Sequence, residues 1–101
     1  VAMVEWGSPG GAATVVDFMR VADATGARAL AAAVLAAPRS MQSWNAIGDA
    51  LDHCTALLRA APFRATERVI DLSGDGPDLR SLRPATAAPG PPQRQGAAAV
   101  L

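Results

Sequence analysis

The sequence predicts a small α/β domain with about three strands and two main helices. Two apolar runs with strand character, residues 1–6 and 68–73, flank two stretches with helical features, residues 27–37 and 46–61. Strand, helix and strand segments in this order are typical of α/β folds. The chain has 101 residues, half of them apolar, which is enough for one hydrophobic core and at most one domain.

The first two strands are predicted to form a hairpin. Residues 1–6 (VAMVEW) are apolar with one charge and run into the turn-forming sequence GSPGG. Residues 14–18 (TVVDF) are β-branched and aromatic, as strands prefer. Because a Gly-rich connection separates the two runs, we expect them to pair antiparallel.

Two helices follow, and both have recognisable ends. Asp23 stands where an N-cap belongs, ahead of the alanine-rich residues 27–37, and Pro38 stops the helix. Asn45 is the expected N-cap of the second helix, and Pro62 ends it. Its apolar residues recur at spacings of three and four and predict one buried stripe: Ile47, Leu51, Cys54, Leu58 and Ala61.

The last predicted strand, residues 68–73 (RVIDLS), leads into a loop of glycine, proline and aspartate. Beyond it the composition changes to proline, glycine, glutamine and alanine, with no apolar periodicity. Such composition is typical of disorder. We therefore expect a domain over residues 1–83 and a disordered tail over residues 84–101.

Charge and cysteine content argue against several function classes. The formal net charge is zero, so no strong field favours nucleic acid or an anionic membrane surface. Cys54 is the only cysteine in the sequence, so neither an internal disulfide nor a cysteine-pair zinc site is expected. No apolar run approaches the roughly 20 residues that a membrane span requires.

The loop after the last predicted strand (IDLSGDGPD) carries the strongest chemical signal. Ligand sites in parallel α/β sheets lie beyond the carboxyl ends of strands. Oxygen ligands for Mg²⁺, Mn²⁺ or Ca²⁺ are supplied here by Asp71, Ser73, Asp75 and Asp78. The alternative is an ordinary Asp-Gly turn in which these side chains bind nearby backbone amides.

Other polar and aromatic residues give weaker signals. His53 has no partner at catalytic or ligand spacing, and Glu5 and Asp49 show no relation that would make them an acid/base pair. Trp6 and Trp44 either line a binding surface or pack over the core.

Three separated segments, VEWGSPG, SWNAIGDAL and RVIDLSGDGPD, resemble the bacterial von Willebrand factor A-like proteins grouped as domain-of-unknown-function family 1194. The resemblance covers residues 1–83 and implies a truncated von Willebrand A domain, with a Rossmann-like sheet and a metal-ion-dependent adhesion site. It places Asp75 at the aspartate of the third loop and Asn45 at the threonine of the second loop. The first loop, D-x-S-x-S, has no counterpart unless residues 71–75 (DLSGD) supply it, and the loops that would then have to follow are absent.

The resemblance implies a binding module that is not an enzyme. Its parent would bind a protein partner through a carboxylate, at Mg²⁺ or another divalent cation, and would be exported or periplasmic in a bacterium. With Asn45 and Asp75 alone as ligands, we expect a weak site. The alternatives are a truncated or degenerate fragment with no independent activity and, less favoured, a metal-dependent hydrolase.

The resemblance also carries an expectation for the sheet. In von Willebrand A domains the first strand lies between the strands that match residues 1–6 and 68–73, and it would precede Val1 here. We therefore expect these two segments to pair directly in parallel, because their backbone groups would otherwise stay unpaired.

Overall fold

The computed structural model describes residues 1–79, 81–82, 93–95 and 99–100. These residues form a small mixed α/β fold, as predicted, and within them five short strands make one sheet beside two helices. The elements are β1 (Ala2–Glu5), β2 (Ala13–Val16), α1 (Ala24–Ala36), α2 (Ile47–Arg59), β3 (Ile70–Leu72), β4 (Gln93–Gln95) and β5 (Ala99–Val100).

The predicted hairpin of β1 and β2 is confirmed. The two strands pair antiparallel, with Val4 opposite Thr14 and an irregular register beside it. Gly10 turns the connection in the left-handed region, at φ 64°, which glycine adopts without strain. Beyond the strands, the Val1 ammonium group donates to the Met19 carbonyl at 2.7 Å and extends the pairing.

The core lies between the sheet and α2. Among the described residues, its central cluster is formed by buried side chains from β1, α2 and β3, namely Ala2, Val4, Leu51, Cys54, Leu58 and Ile70. The predicted stripe is therefore confirmed at its three central positions on α2. Burial raises the pKa of the Cys54 thiol to about 11, so this cysteine acts as a small apolar side chain. Packing against α2 fixes β1 and β3 relative to that helix.

Helix α1 has a different relation to the core. Its predicted N-cap is confirmed, since the Asp23 carboxylate accepts from the Gly26 amide at 2.9 Å. The backbone turns extended at Ala37, before Pro38, and ends the helix. Although α1 is as long as α2, none of its residues is buried.

The strand order β2-β1-β5-β3-β4 corrects the expected pairing of residues 1–6 with residues 68–73. Strand β5 lies between β1 and β3 and is antiparallel to both, with Val100 opposite Ala2 and Ile70. The backbone groups of Ala2 and Ile70, which are buried, need partners, and residues 99–100 supply them. The prediction was wrong because a two-residue strand carries no readable periodicity.

Two segments of the predicted tail have regular structure. Residues 93–95 pair in parallel with β3, and residues 99–100 form β5. The expectation of disorder is corrected at these positions, where backbone pairing with the sheet outweighs the unfavourable composition. The remaining tail residues, 84–92, 96–98 and 101, lie outside the described residues, and the boundary at residue 83 stays a prediction.

Candidate functional site

One end of the sheet gathers the loops that were predicted to carry chemistry. Strands β1 and β3 run in the same direction, because each is antiparallel to β5. Their carboxyl ends therefore lie at the same edge, where the loops 6–12 and 73–79 begin. The N-terminus of α2 and the preceding loop, residues 39–46, bind to both loops through the contacts below. We refer to these three loops together as the loop edge.

The loop before α2 is fixed closely against the end of β1. The Ala46 amide donates to the Gly7 carbonyl at 2.9 Å, and Gln42 bonds to the Ser8 amide and the Gly11 carbonyl. A side chain at Gly7 does not fit, because its Cβ would lie 2.6 Å from the carbonyl oxygen of Trp44. These contacts hold the segment around Asn45 in place.

Asp78 caps α2 from a distant part of the chain. Its carboxylate accepts from the Ile47 amide at 2.9 Å and from the Gly48 amide at 3.4 Å, and it also binds the Ser81 hydroxyl. The helix starts after Ala46, which makes no side-chain capping bond, so the expected capping role of Asn45 is not observed. Asp78 was a candidate accessory metal ligand, and its observed role is to satisfy the first amides of α2.

Asp49, in the first turn of α2, joins two loops. This carboxylate is only 9% exposed, and it accepts from the Gly10 amide at 2.8 Å and from the Leu82 amide at 2.8 Å. A nearly buried carboxylate is stable only when such donors replace its hydration. Asp49 therefore fixes the loops that follow β1 and β3 to the same helix.

Asn45 and Asp75, the two predicted metal ligands, lie in one cleft. The Asn45 side-chain amide donates to the Pro77 carbonyl at 2.9 Å, which leaves its oxygen beside Gly74. Asp75 is exposed, and among the described residues nothing hydrogen-bonds to its carboxylate or forms an ion pair with it. The cleft has a volume of about 670 Å³, and a second hollow of about 470 Å³ shares both residues.

The two remaining candidates lie in different surroundings. Ser73 lines the cleft together with Asn45 and Asp75. Asp71 lies within β3, opposite Ala99, and does not line the cleft. Of the five candidate residues, the structure therefore brings three together.

Both tryptophans line the cleft, which was one of their two expected roles. The ring of Trp6 lies so close to Gly74 that a Cβ there would be 2.9 Å from it. Trp44 is 48% exposed and lies between the two hollows, since it lines both. The cleft is thus part aromatic and part polar, which is common for binding sites.

Two further charged residues of the cleft, Glu5 and Arg39, had been given no role from the sequence. Glu5 accepts from the Ser40 amide at 2.6 Å and from the Ser40 hydroxyl, and lies 3.5 Å from the Arg39 guanidinium. The hydrogen bonds from Ser40, followed by the neighbouring Arg39, lower the pKa of Glu5. No local pattern signals this arrangement, because Glu5 and Ser40 are far apart in the sequence.

His53 makes a contact between two elements of the fold. Its Nε2 lies 2.8 Å from the Thr14 hydroxyl, on the exposed side of the contact between α2 and β2. It does not line the cleft. The histidine thus joins a helix to a strand and is separate from the candidate site.

The oxygen donors of the cleft suit a hard divalent cation in kind but supply few ligands. The candidate ligands among them are the Asp75 carboxylate, the Asn45 amide oxygen and the Ser73 hydroxyl, whereas the Glu5 carboxylate of the same cleft is bound by Ser40. Within residues 1–79 and the other described segments, no group of three or more histidine, cysteine, aspartate or glutamate side chains is arranged to hold a metal. An ion at Asn45 and Asp75 would therefore keep most of its water ligands.

The chain belongs to the family described as "Protein of unknown function (DUF1194)", whose sequence profile matches residues 1–99. This confirms membership of family 1194 and extends the match beyond residue 83, while the von Willebrand A-like assignment stays a prediction. The comparison with curated proteins and the comparison with solved structures both gave no match. None of the described helices has the length and apolar character needed to cross a membrane.

Proposed function

We propose that this member of the family is a binding module without catalytic activity, whose loop edge holds a divalent cation weakly and presents it to a protein partner. The observation that carries the proposal is the meeting of Asn45 and Asp75 in one cleft, although they come from different loops. Asp78 and Leu79 hold the loop after β3 against the start of α2, and this contact places Asp75 beside the loop that carries Asn45.

The orientation of Asn45 supports a ligand role. Its side-chain nitrogen donates to the Pro77 carbonyl, so its side-chain oxygen lies on the side of Gly74. Gly74 directly precedes Asp75 in the chain. Asp75 has no competing partner among the described residues. One charged and one neutral oxygen are thus available for the same ion.

The proposed partner group is a carboxylate, which a hydrated divalent ion accepts in place of water. The chain's own residues would hold the ion through Asn45 and Asp75 and shape the cleft through Trp6 and Trp44. Weak binding agrees with an exported or periplasmic location in a bacterium, since extracellular modules bind Ca²⁺ with dissociation constants of roughly 10⁻⁴–10⁻³ M.

The chemistry of Glu5 supports binding without catalysis. Besides Asp75, Glu5 is the carboxylate that lines the cleft, so it is the candidate general base. The hydrogen bonds donated by Ser40 lower the pKa of Glu5 and so reduce its affinity for a proton. A general base for hydrolysis works best with a pKa near the operating pH. The cleft therefore fits a hydrolase poorly.

Isothermal titration calorimetry of the full chain with Mn²⁺ tests the proposal. We expect a dissociation constant on the order of 1 mM, as two protein ligands imply, and loss of the signal in Asp75→Asn. Asp17→Asn is the matched control, because Asp17 is an exposed acid outside the cleft. Equal binding by wild type and Asp75→Asn would refute the proposed site. Micromolar affinity lost on Asp75→Asn would instead show a strong adhesion site.

A further inference from the structure

The cleft contains one cationic side chain among the described residues, Arg39, and its setting differs from that of an ordinary surface arginine. The adjacent residue Ser40 is anchored to Glu5 through both its amide and its hydroxyl. The backbone under Arg39 is therefore fixed at the end of β1. Its side chain is 91% exposed and reaches into the cleft.

The guanidinium of Arg39 has spare hydrogen-bonding capacity. A guanidinium carries five N–H donors in a planar fork that matches a carboxylate. The contact of Arg39 with Glu5 uses one nitrogen, which lies 3.5 Å from Oε1, while both donors of Ser40 bind the other carboxylate oxygen, Oε2. Such a long and exposed ion pair is weak, so a second carboxylate can compete for the fork.

The charge of the cleft decides the chemistry of the partner. Glu5 and Asp75 against Arg39 leave the cleft with one net negative charge, and a divalent cation reverses it to one net positive charge. An acidic segment is thus favoured with the ion bound and disfavoured without it. Both positive groups, the ion and the guanidinium, prefer carboxylates.

We propose that Arg39 is a second anchor of the binding site and that the partner segment presents at least two acidic side chains, one for the cation at Asn45 and Asp75 and one for Arg39. This inference rests on the proposed function and specifies its partner. The volume of about 670 Å³ lies in the range of sites that enclose a ligand of more than one group.

Titration of the full chain with tetraglutamate tests the proposal, once with Mg²⁺ and once with a chelator. The intrinsic fluorescence is a suitable readout, because the two tryptophans of the chain, Trp6 and Trp44, both line the cleft. With Mg²⁺ we expect binding that Arg39→Gln weakens about tenfold, as loss of a charged hydrogen bond implies. Arg39→Lys should recover part of the lost affinity. Arg64→Gln, at an exposed arginine outside the cleft, should bind with the wild-type affinity.

The outcomes separate this proposal from the proposed function. Wild-type affinity in Arg39→Gln, with binding that still needs Mg²⁺ and Asp75, would overturn the role of Arg39 alone. Equal binding with Mg²⁺ and with the chelator, weakened by Arg39→Gln, would keep the anchor and refute the ion site. No binding in either condition, or preference for tetralysine in the presence of Mg²⁺, would overturn the acidic partner.

Discussion

The two helices of the described residues, α1 and α2, are equally long, yet α2 belongs to the core and α1 does not. Helix α2 buries seven of its thirteen residues, whereas α1 buries none. The sequence of α2 concentrates apolar side chains on one stripe, while that of α1 distributes alanine all around the helix. A helix without a buried face depends on intrinsic propensity and its cap. The comparison shows that α2, and not α1, organises the molecule and its loop edge.

The largest expected difference between the helices concerns a leucine on each. Leu51→Ala in α2 should lower the free energy of unfolding by about 2–5 kcal/mol, because the side chain is fully buried and leaves a cavity. Leu35→Ala in α1 should change it by less than about 0.5 kcal/mol, since Leu35 is 88% exposed. Urea denaturation measures both. Equal losses would show that α1 buries a face after all.

The second expected effect concerns the contact of the loop edge with β1. Gly7→Ala should cost about 1–3 kcal/mol, because the added methyl group lies 2.6 Å from a backbone oxygen that cannot move freely. Gly76→Ala is the milder control, since its methyl group would meet the side-chain nitrogen of Asn45 at 3.3 Å. Near-ultraviolet circular dichroism of the tryptophans, recorded with urea denaturation, measures both effects. An unchanged Gly7→Ala protein would contradict the close packing of residues 42–46 on β1.

The two capping aspartates make the comparison sharper. Asp78→Ala should reduce the free energy of unfolding by about 1 kcal/mol, because it removes the acceptor for the first amides of α2. Asp23→Ala should instead fray α1 with little effect on global unfolding, since no buried contact is lost. Amide hydrogen exchange measures the two effects separately, at the Ile47 amide for Asp78→Ala and at the Gly26 amide for Asp23→Ala. Global destabilisation by Asp23→Ala would mean that α1 and the core unfold together.

The smallest expected effect is a pH dependence at the loop edge. The pKa of Glu5 is lower in the folded state than in the unfolded chain, chiefly through Ser40. The ionised Glu5 carboxylate therefore stabilises the fold fully at pH values above the ordinary glutamate pKa. This stabilisation is lost as the pH falls through the lowered pKa. Glu5→Gln should remove the loss of stability that protonation of Glu5 causes in acid. Urea denaturation across acidic pH measures this loss. Glu67→Gln, at a residue outside the cleft, should retain it. An unchanged acid profile in Glu5→Gln would contradict the role of Ser40 as its donor.

Local interactions were readable in the sequence, and distant ones were not. Asp23 was identified as a cap because its acceptor lies three residues away. The cap of α2 was assigned wrongly to Asn45, because the true acceptor, Asp78, comes from 31 residues further along the chain. The meeting of Asn45 and Asp75 was predicted through the family resemblance and not through their spacing. Glu5 and Arg39 were missed, because a polar loop gives no signal of the strand that it packs against.

The proposed function depends on a divalent cation bound at Asn45 and Asp75 of the loop edge. Paramagnetic broadening of amide signals by Mn²⁺ in the isotope-labelled chain tests it most directly, because the broadening falls off steeply with distance from the ion. The account predicts that the amides of Asn45 and residues 73–76 broaden first and that Asp75→Asn abolishes this selectivity. Broadening centred on other acidic residues, such as Asp17 or Asp52, or selectivity that survives in Asp75→Asn, would contradict it.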